Sequence, residues 1–499
     1  NLARLLSAPR PFALLRRRTP GGDHDLVEVL LGPVRTFERL AALPDECLAM
    51  VPFRQIRERG FDVRDDGTPL AALVPEERHA VPLTQALRQL PAHPVRVTGG
   101  GFDVDDEEYE RIVGRVLRDE IGAGEGANFV IRRTYRGEIP GFGRADALAL
   151  FRRLLEGERG AYWTFVVHTG ERTLVGASPE VHVRCSGGTV VMNPISGTYR
   201  YPAEGPTVES LLEFLADGKE TEELSMVVDE ELKMMCTVGD RGGVVVGPRL
   251  KEMAHLAHTE YELRGRSSLD VREVLRQTMF AATVTGSPVQ NACRVIERYE
   301  SGGRSYYAGA LALLGRDGGG AQTLDSPILI RTADIDTAGR LTVSVGATLV
   351  RGSDPASEAA ETHAKAAGVL AALGVRPARP RAERELPRLA DDPRVRDGDP
   401  EAYVRRALHN TYVSWWRRQP PPPEAVEEVV RASPVHRLEA RVEPRLDGPL
   451  LEDGQRHGMD GRDLGSLDLL QGAAVRGVLA GRQPLADAAF QFGGRQPVK

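Results

Sequence analysis

GAYWTFVVHTGERTLVG (residues 160–176), followed after four residues by VHVRCSGGTVVM (residues 181–192), decides the fold. Valine, threonine and aromatic side chains crowd both runs and turn residues bound them, so both read as strands. Working outward, further strands read at 244–262, 307–314, 328–333 and 341–350, and helices at 207–235, 271–280, 289–299 and 357–373. Nearer the N-terminus, short apolar runs at 26–31 and 70–74 sit between turn residues, and 107–120 carries apolar residues at helical intervals. Strands come in neighbouring groups with helices between the groups, which predicts an antiparallel-rich α+β layer structure rather than an alternating parallel one.

The chain has 499 residues, 41% of them hydrophobic, and a formal net charge of −6. It is too long for one core of ordinary size and too apolar to be largely disordered. Acidic and basic residues are mixed along it, so no nucleic-acid footprint is expected. No run reaches the roughly 18 apolar residues of a membrane span, and the Arg-rich stretch 14–18 lacks a signal-like apolar segment, so a cytoplasmic chain with no membrane partner is expected. Cys47, Cys185, Cys236 and Cys293 are too widely spaced for a zinc site or a disulfide framework. Beyond Gly374 the composition turns to Pro, Arg, Asp and Gly, with a run of prolines at 420–423 and one amphipathic stretch at 402–416. The expected organisation is an N-terminal α/β part over 1–115, a catalytic region over 116–375 and a linker and tail over 376–499.

Two short strings carry the chemistry. Gly218-Lys219-Glu220-Thr221-Glu222-Glu223-Leu224 and Ser357-Glu358-Ala359-Ala360-Glu361-Thr362 each place two glutamates three residues apart, on one face of a helix. Taken singly, a Glu-x-x-Glu is a solvated face of a surface helix. Brought together, two such pairs repel: two unit charges at about 4 Å cost about 4 kcal/mol at an effective dielectric near 20. A divalent cation removes the conflict, and an all-carboxylate shell that leaves room for water suits Mg²⁺.

Further motifs appear in order over 128–365. They are Gly176-Ala177-Ser178-Pro179-Glu180, Pro194-Ile195-Ser196-Gly197-Thr198, Ala282-Thr283-Val284-Thr285-Gly286-Ser287-Pro288, Tyr307-Ala308-Gly309-Ala310 and Ile330-Arg331-Thr332, then the helix from Glu361 to Lys365. With these the sequence resembles the chorismate-utilising superfamily of anthranilate, salicylate and isochorismate synthases. The strings over 192–202 and 224–233 look most like the phenazine-pathway 2-amino-2-deoxyisochorismate (2-amino-4-deoxychorismate) synthases. The resemblance implies an α+β fold of two-layer antiparallel sheets flanked by helices, with the active site at their junction, and by analogy a homodimer.

It also implies roles. Glu223 and Glu361 would hold Mg²⁺ directly and Glu220 and Glu358 through water, and the metal would clamp the ring carboxylate of chorismate. Lys365 would face the same carboxylate; taken alone it reads as a surface ion pair. Arg331 and Tyr307 would bind the enolpyruvyl group, and Thr198, Thr283, the Gly286 loop and the Gly346-Ala347 backbone would donate to substrate carboxylates. Glu180 matches the general acid for loss of the C4 hydroxyl. His258 matches a histidine near that hydroxyl, although His258-Thr259-Glu260-Tyr261 departs from the family's His-Leu-Val-Ser; an imidazole titrating near neutrality would serve there. His255 reads as structural.

Water-using relatives carry a lysine base where this chain has Asn128, and ammonia needs no such base. The expected reaction is therefore amination of chorismate at ring carbon two with the enolpyruvyl group retained. The alternatives are a pyruvate-eliminating anthranilate synthase component I and a catalytically silent scaffold subunit. No cysteine follows Cys293, so the tail lacks the nucleophile of a fused glutamine amidotransferase, and ammonia is expected from solution or from a separate glutaminase subunit.

Overall fold

The stretch 160–192 folds as two hairpins in two different sheets. Trp163–His168 pairs with Arg172–Ser178, and Val181–Ser186 pairs with Thr189–Met192 through the two-residue turn Gly187-Gly188. Both glycines of that turn have positive φ, 54° and 72°, as a turn matched to strand twist requires. Pro179 and Glu180 are the crossing between the sheets, so chain direction alone delivers the Glu180 side chain to their seam. A second crossing, 328–331, leads from Gln322–Pro327 in one sheet to Thr332–Asp336 in the other. The two crossings are tied by a hydrogen bond from Ile328 N to Glu180 O at 3.1 Å.

The computed structural model describes residue 2 and residues 9–202, 207–254 and 256–375. His255, the tail over 376–499 and the helix expected at 402–416 lie outside the described residues. The first sheet runs Gly286–Ser287, Asn128–Glu138, Arg340–Val350, Thr332–Asp336, Arg172–Ser178, Trp163–His168, Phe12–Arg17, Leu26–Leu31, Glu77–Pro82, with Thr98–Phe102 also on Asn128–Glu138. The second runs Ile195–Arg200, Leu256–Arg266, Thr189–Met192, Val181–Ser186, Gln322–Pro327, Ala310–Arg316, Cys47–Val51, Leu70–Leu73, Val34–Phe37, with Gly243–Glu252 also on Leu256–Arg266. Neighbouring strands pair antiparallel throughout the described residues, including Phe12–Arg17 on Trp163–His168 and Cys47–Val51 on Ala310–Arg316. The expected α+β fold is what forms.

Alternation along each strand sorts the core. Ala13 and Leu15 turn inward to meet Leu48, Leu311 and Trp163 in a cluster fed by both sheets, while Phe12 and Leu14 turn outward. Outside the first sheet, Arg144–Gly157 and Pro355–Ala372 cover that second cluster; outside the other, Gly218–Val238, Val271–Gln277 and Val289–Tyr299 cover a third.

Several expectations shift. The single strand expected over 244–262 is two antiparallel strands, Gly243–Glu252 and Leu256–Arg266. The helix expected over 207–235 is two helices, Val208–Ala216 and Gly218–Val238, because Asp217 leaves the helical conformation and its carboxylate caps the second by accepting from Lys219 N at 2.8 Å. The strand expected at 328–333 begins only at Thr332, because Arg331 takes φ 52° and ends the crossing in a turn. Among the described residues no helix is long and apolar enough to cross a membrane.

Candidate active site

A cavity at the seam is lined from both sheets and from both crossings. Glu180, on the first crossing, is 2% exposed. Thr283 Oγ1 donates to its Oε1 at 2.7 Å and Ile195 N donates to the same oxygen at 3.4 Å. Both bonds fall on Oε1, which leaves Oε2 to carry a proton. Burial pushes the carboxyl up to about 8, against the downward pull of those two donors, so at neutral pH this is an acid with a proton to give.

His258 comes from the strand Leu256–Arg266 and is also buried. Its Nδ1 lies 2.6 Å from Gly197 O, which can only accept, so Nδ1 carries the hydrogen; Nε2 then accepts from Arg331 Nη2 at 3.1 Å. Burial first, and the Arg331 charge second, push the imidazole down to about 3. The ring is therefore neutral, away from the near-neutral titration expected from the sequence, and it holds the guanidinium in place. Arg331 itself is pinned by Ala177 N donating to its carbonyl at 3.1 Å. Its positive φ is strain of the kind that marks sites where the surroundings dictate a side chain's position. Tyr307 faces Gly346 so closely that a Cβ there would stand 2.8 Å from the phenolic oxygen.

The two glutamate pairs converge. Gly218–Val238 brings Glu220 and Glu223, Pro355–Ala372 brings Glu358 and Glu361, and Glu223, Glu358 and Glu361 are buried. The stretch 196–198 supports the first pair: Ser196 Oγ and Gly197 N donate to Glu223 Oε1 at 2.7 and 3.3 Å, and Thr198 N donates to Glu220 Oε2 at 3.1 Å. Between the pairs stands the ammonium of Lys219, 3.0 Å from Glu358, 3.3 Å from Glu220 and 3.7 Å from Glu223. Lys365 pairs with Glu361 at 2.7 Å. Burial and the neighbouring carboxylate raise the carboxyls of Glu220 and Glu358. Burial would raise Glu361 too, but Lys365 and Lys219 outweigh it and hold that group low.

Could these residues hold a divalent cation? The donors are all oxygen and mostly buried, three of them around the Lys219 ammonium and Glu361 beside Lys365; the oxygens of Glu358 find no well-aligned hydrogen-bond donor. That donor chemistry fits Mg²⁺. As the side chains stand, with the ammonium at the centre, no three His, Cys, Asp or Glu groups among the described residues are drawn around a common point.

The sequence profile of the chorismate binding enzyme family matches residues 61–371. The chain belongs to that family. The phenazine-specific anthranilate synthase of Pseudomonas chlororaphis is 54% identical over 379 residues, 74% of this chain and 59% of that protein. The chain thus spans about three-fifths of the length of such curated relatives. Among solved structures, the menaquinone-specific isochorismate synthase of Escherichia coli aligns with TM-score 0.60 at 20% identity, over 74% of this chain and 91% of that one. Anthranilate synthase component I of Streptococcus pneumoniae aligns with TM-score 0.55 at 22% identity, over 72% and 89%. These two are likenesses of fold.

In this member of the family, Glu180, Thr198, Glu223, His258, Thr283, Tyr307, Arg331, Gly346 and Lys365 all line the cavity. Glu220, Glu358 and Glu361 stand behind it, around Lys219 and Lys365. Three further expected residues are not lining. Asn128 is fully buried and its amide atoms find no hydrogen-bond partner. Gly286 packs flat on that strand, where a Cβ would meet Asn128 O at 2.3 Å. Ala347 N is taken by Tyr109 Oη at 3.3 Å rather than left for a substrate. Sequence reasoning missed Lys219 and the Ser196 hydroxyl; the one available signal was Lys219 lying one residue from Glu220 and four from Glu223.

Proposed function

We propose that this chain aminates chorismate. Ammonia attacks ring carbon two, the double bonds shift, and the C4 hydroxyl leaves as water with the proton held on Glu180. The product is 2-amino-2-deoxyisochorismate with its enolpyruvyl group retained. The observation that carries the reading is the pairing of a protonated Glu180 with a cavity wall on which, among the described residues, the lining lysine is Lys365, engaged by Glu361 at 2.7 Å and by Gly346 O at 3.1 Å. Water would need a base to attack, whereas ammonia is already nucleophilic. Arg331, set by His258, and Tyr307 orient the side-chain carboxylate. Lys365 faces the ring carboxylate, for which Mg²⁺ held by Glu220, Glu223, Glu358 and Glu361 would supply further positive charge.

A second reading is favoured by the name of the Pseudomonas relatives, anthranilate synthases: the same amination followed by pyruvate loss. Ammonia comes from solution or from a separate glutaminase. Purified chain is incubated with chorismate, Mg²⁺ and ammonium, and the product is weighed while pyruvate is followed with lactate dehydrogenase. A product lighter than chorismate by the difference between hydroxyl and amino, without pyruvate, is expected. Stoichiometric pyruvate would replace the first reading with the second, and no consumption of chorismate would remove both.

A further inference from the structure

The position of Lys219 is not explained by holding a substrate, since it does not line the cavity. Its ammonium is anchored within 3.0–3.7 Å of three carboxylates carried by two helices. It therefore does for the cluster what a metal ion would do, cancelling repulsion between the two pairs. We propose that Lys219 is the built-in competitor of the divalent cation: the ion can enter only as the ammonium leaves, so this one side chain sets how tightly the site binds its metal. The proposal rests on the magnesium reading above.

The local structure allows the exchange. The backbone of Lys219 is fixed by the Asp217 cap, so only the side chain need move. Beside its stem stands Gly352, which has no side chain; a Cβ there would lie 3.8 Å from Lys219 Cβ. The side chain already keeps 17% of its surface exposed, so the ammonium can swing toward water without crossing the core. Holding the cluster together without metal has a use of its own, because uncompensated buried carboxylates are strongly destabilising.

The test compares wild type with Lys219→Met, Lys219→Gln and, as control, Lys233→Met, which removes the same charge from an exposed place on the same helix. Mg²⁺ affinity is measured by calorimetry and Mn²⁺ affinity by electron paramagnetic resonance, with no turnover involved. Removing the competing ammonium should tighten divalent binding by on the order of tenfold or more, with Lys233→Met close to wild type. Thermal melts should cross over: the Lys219 variants melt below wild type in chelator and match or exceed it in saturating Mg²⁺. Either Lys219 variant binding cations no more tightly than wild type, or staying destabilised in saturating Mg²⁺, would overturn the proposal while leaving the metal site standing. Failure of wild type and variants alike to bind either ion overturns both.

Discussion

Glu180 is a single side chain on which both rate and stability should turn. Its carboxyl, raised to about 8 by burial, gives an acid that is loaded below that pH and empty above it. Chorismate consumption should hold through neutrality and fall about tenfold per pH unit above 8, and Glu180→Gln should lower kcat by roughly 10²–10⁴-fold. Because the folded value lies above the unfolded one, the group's contribution to stability is complete below the ordinary carboxylate range and is lost as pH rises through about 8. Urea midpoints of wild type should decline there more than those of Glu180→Gln; parallel midpoints, or a rate flat to pH 9, would sink the assignment. His258, held neutral with its hydrogen on Nδ1, should contribute no inflection between about pH 5 and 8. His258→Ala should raise KM for chorismate more than it lowers kcat, since Arg331 loses its 3.1 Å partner. Motif and neighbourhood made Glu180, Arg331 and both glutamate pairs legible in the sequence. Lys219 was not, because a lysine beside glutamates on a helix has the look of solvated surface until a second helix closes over it. Nor was the state of His258, which depends on burial and on a guanidinium 73 residues away.

Elements are held together by particular atoms at their ends. Gly197 takes φ 67°, and a Cβ on it would stand 2.7 Å from Glu220 Oε2 and 3.1 Å from Phe214. Gly197→Ala should therefore cost about 1–3 kcal/mol in urea unfolding and weaken cation binding at the same time; unchanged values in both would show that the strand accommodates a side chain. Arg304 ties the strand Asn128–Glu138 to the 281–288 loop, donating to Val130 O and Val284 O at 2.7 Å each while paired with buried Glu300. Arg304→Met leaves that carboxylate with Arg132 alone and should destabilise by roughly 3–5 kcal/mol, read as a shifted unfolding midpoint at constant slope. Most strands and helices of the catalytic region could be placed from apolar runs and periodicity. The helix break at Asp217 and the late start of the strand at Thr332 could not, because each depends on one residue leaving the regular conformation for a cap or a turn.

At the scale of the whole molecule, the first hundred residues were legible only as mixed α and β, and their placement is non-local. Phe12–Arg17 lies inside a sheet, between Trp163–His168 and Leu26–Leu31, partners that no local pattern names. Deleting residues 1–17 removes fully buried Phe12, Leu14 and Leu15. At about 1.5–3 kcal/mol each they approach the 5–15 kcal/mol by which a domain is stable, so the deletion should abolish the cooperative thermal transition seen by circular dichroism. A soluble variant melting like wild type would contradict the topology. Three consecutive residues, Ser196 to Thr198, touch both halves of the site: their hydroxyl and amides grip Glu223 and Glu220, while the carbonyl of Gly197 receives His258, which in turn steers Arg331. With the proposed cation in one half and the proposed chorismate in the other, this shared strand would couple the two, and thermodynamic linkage would make the influence reciprocal. Whatever factor chorismate added to the grip on the ion, the ion would return to chorismate.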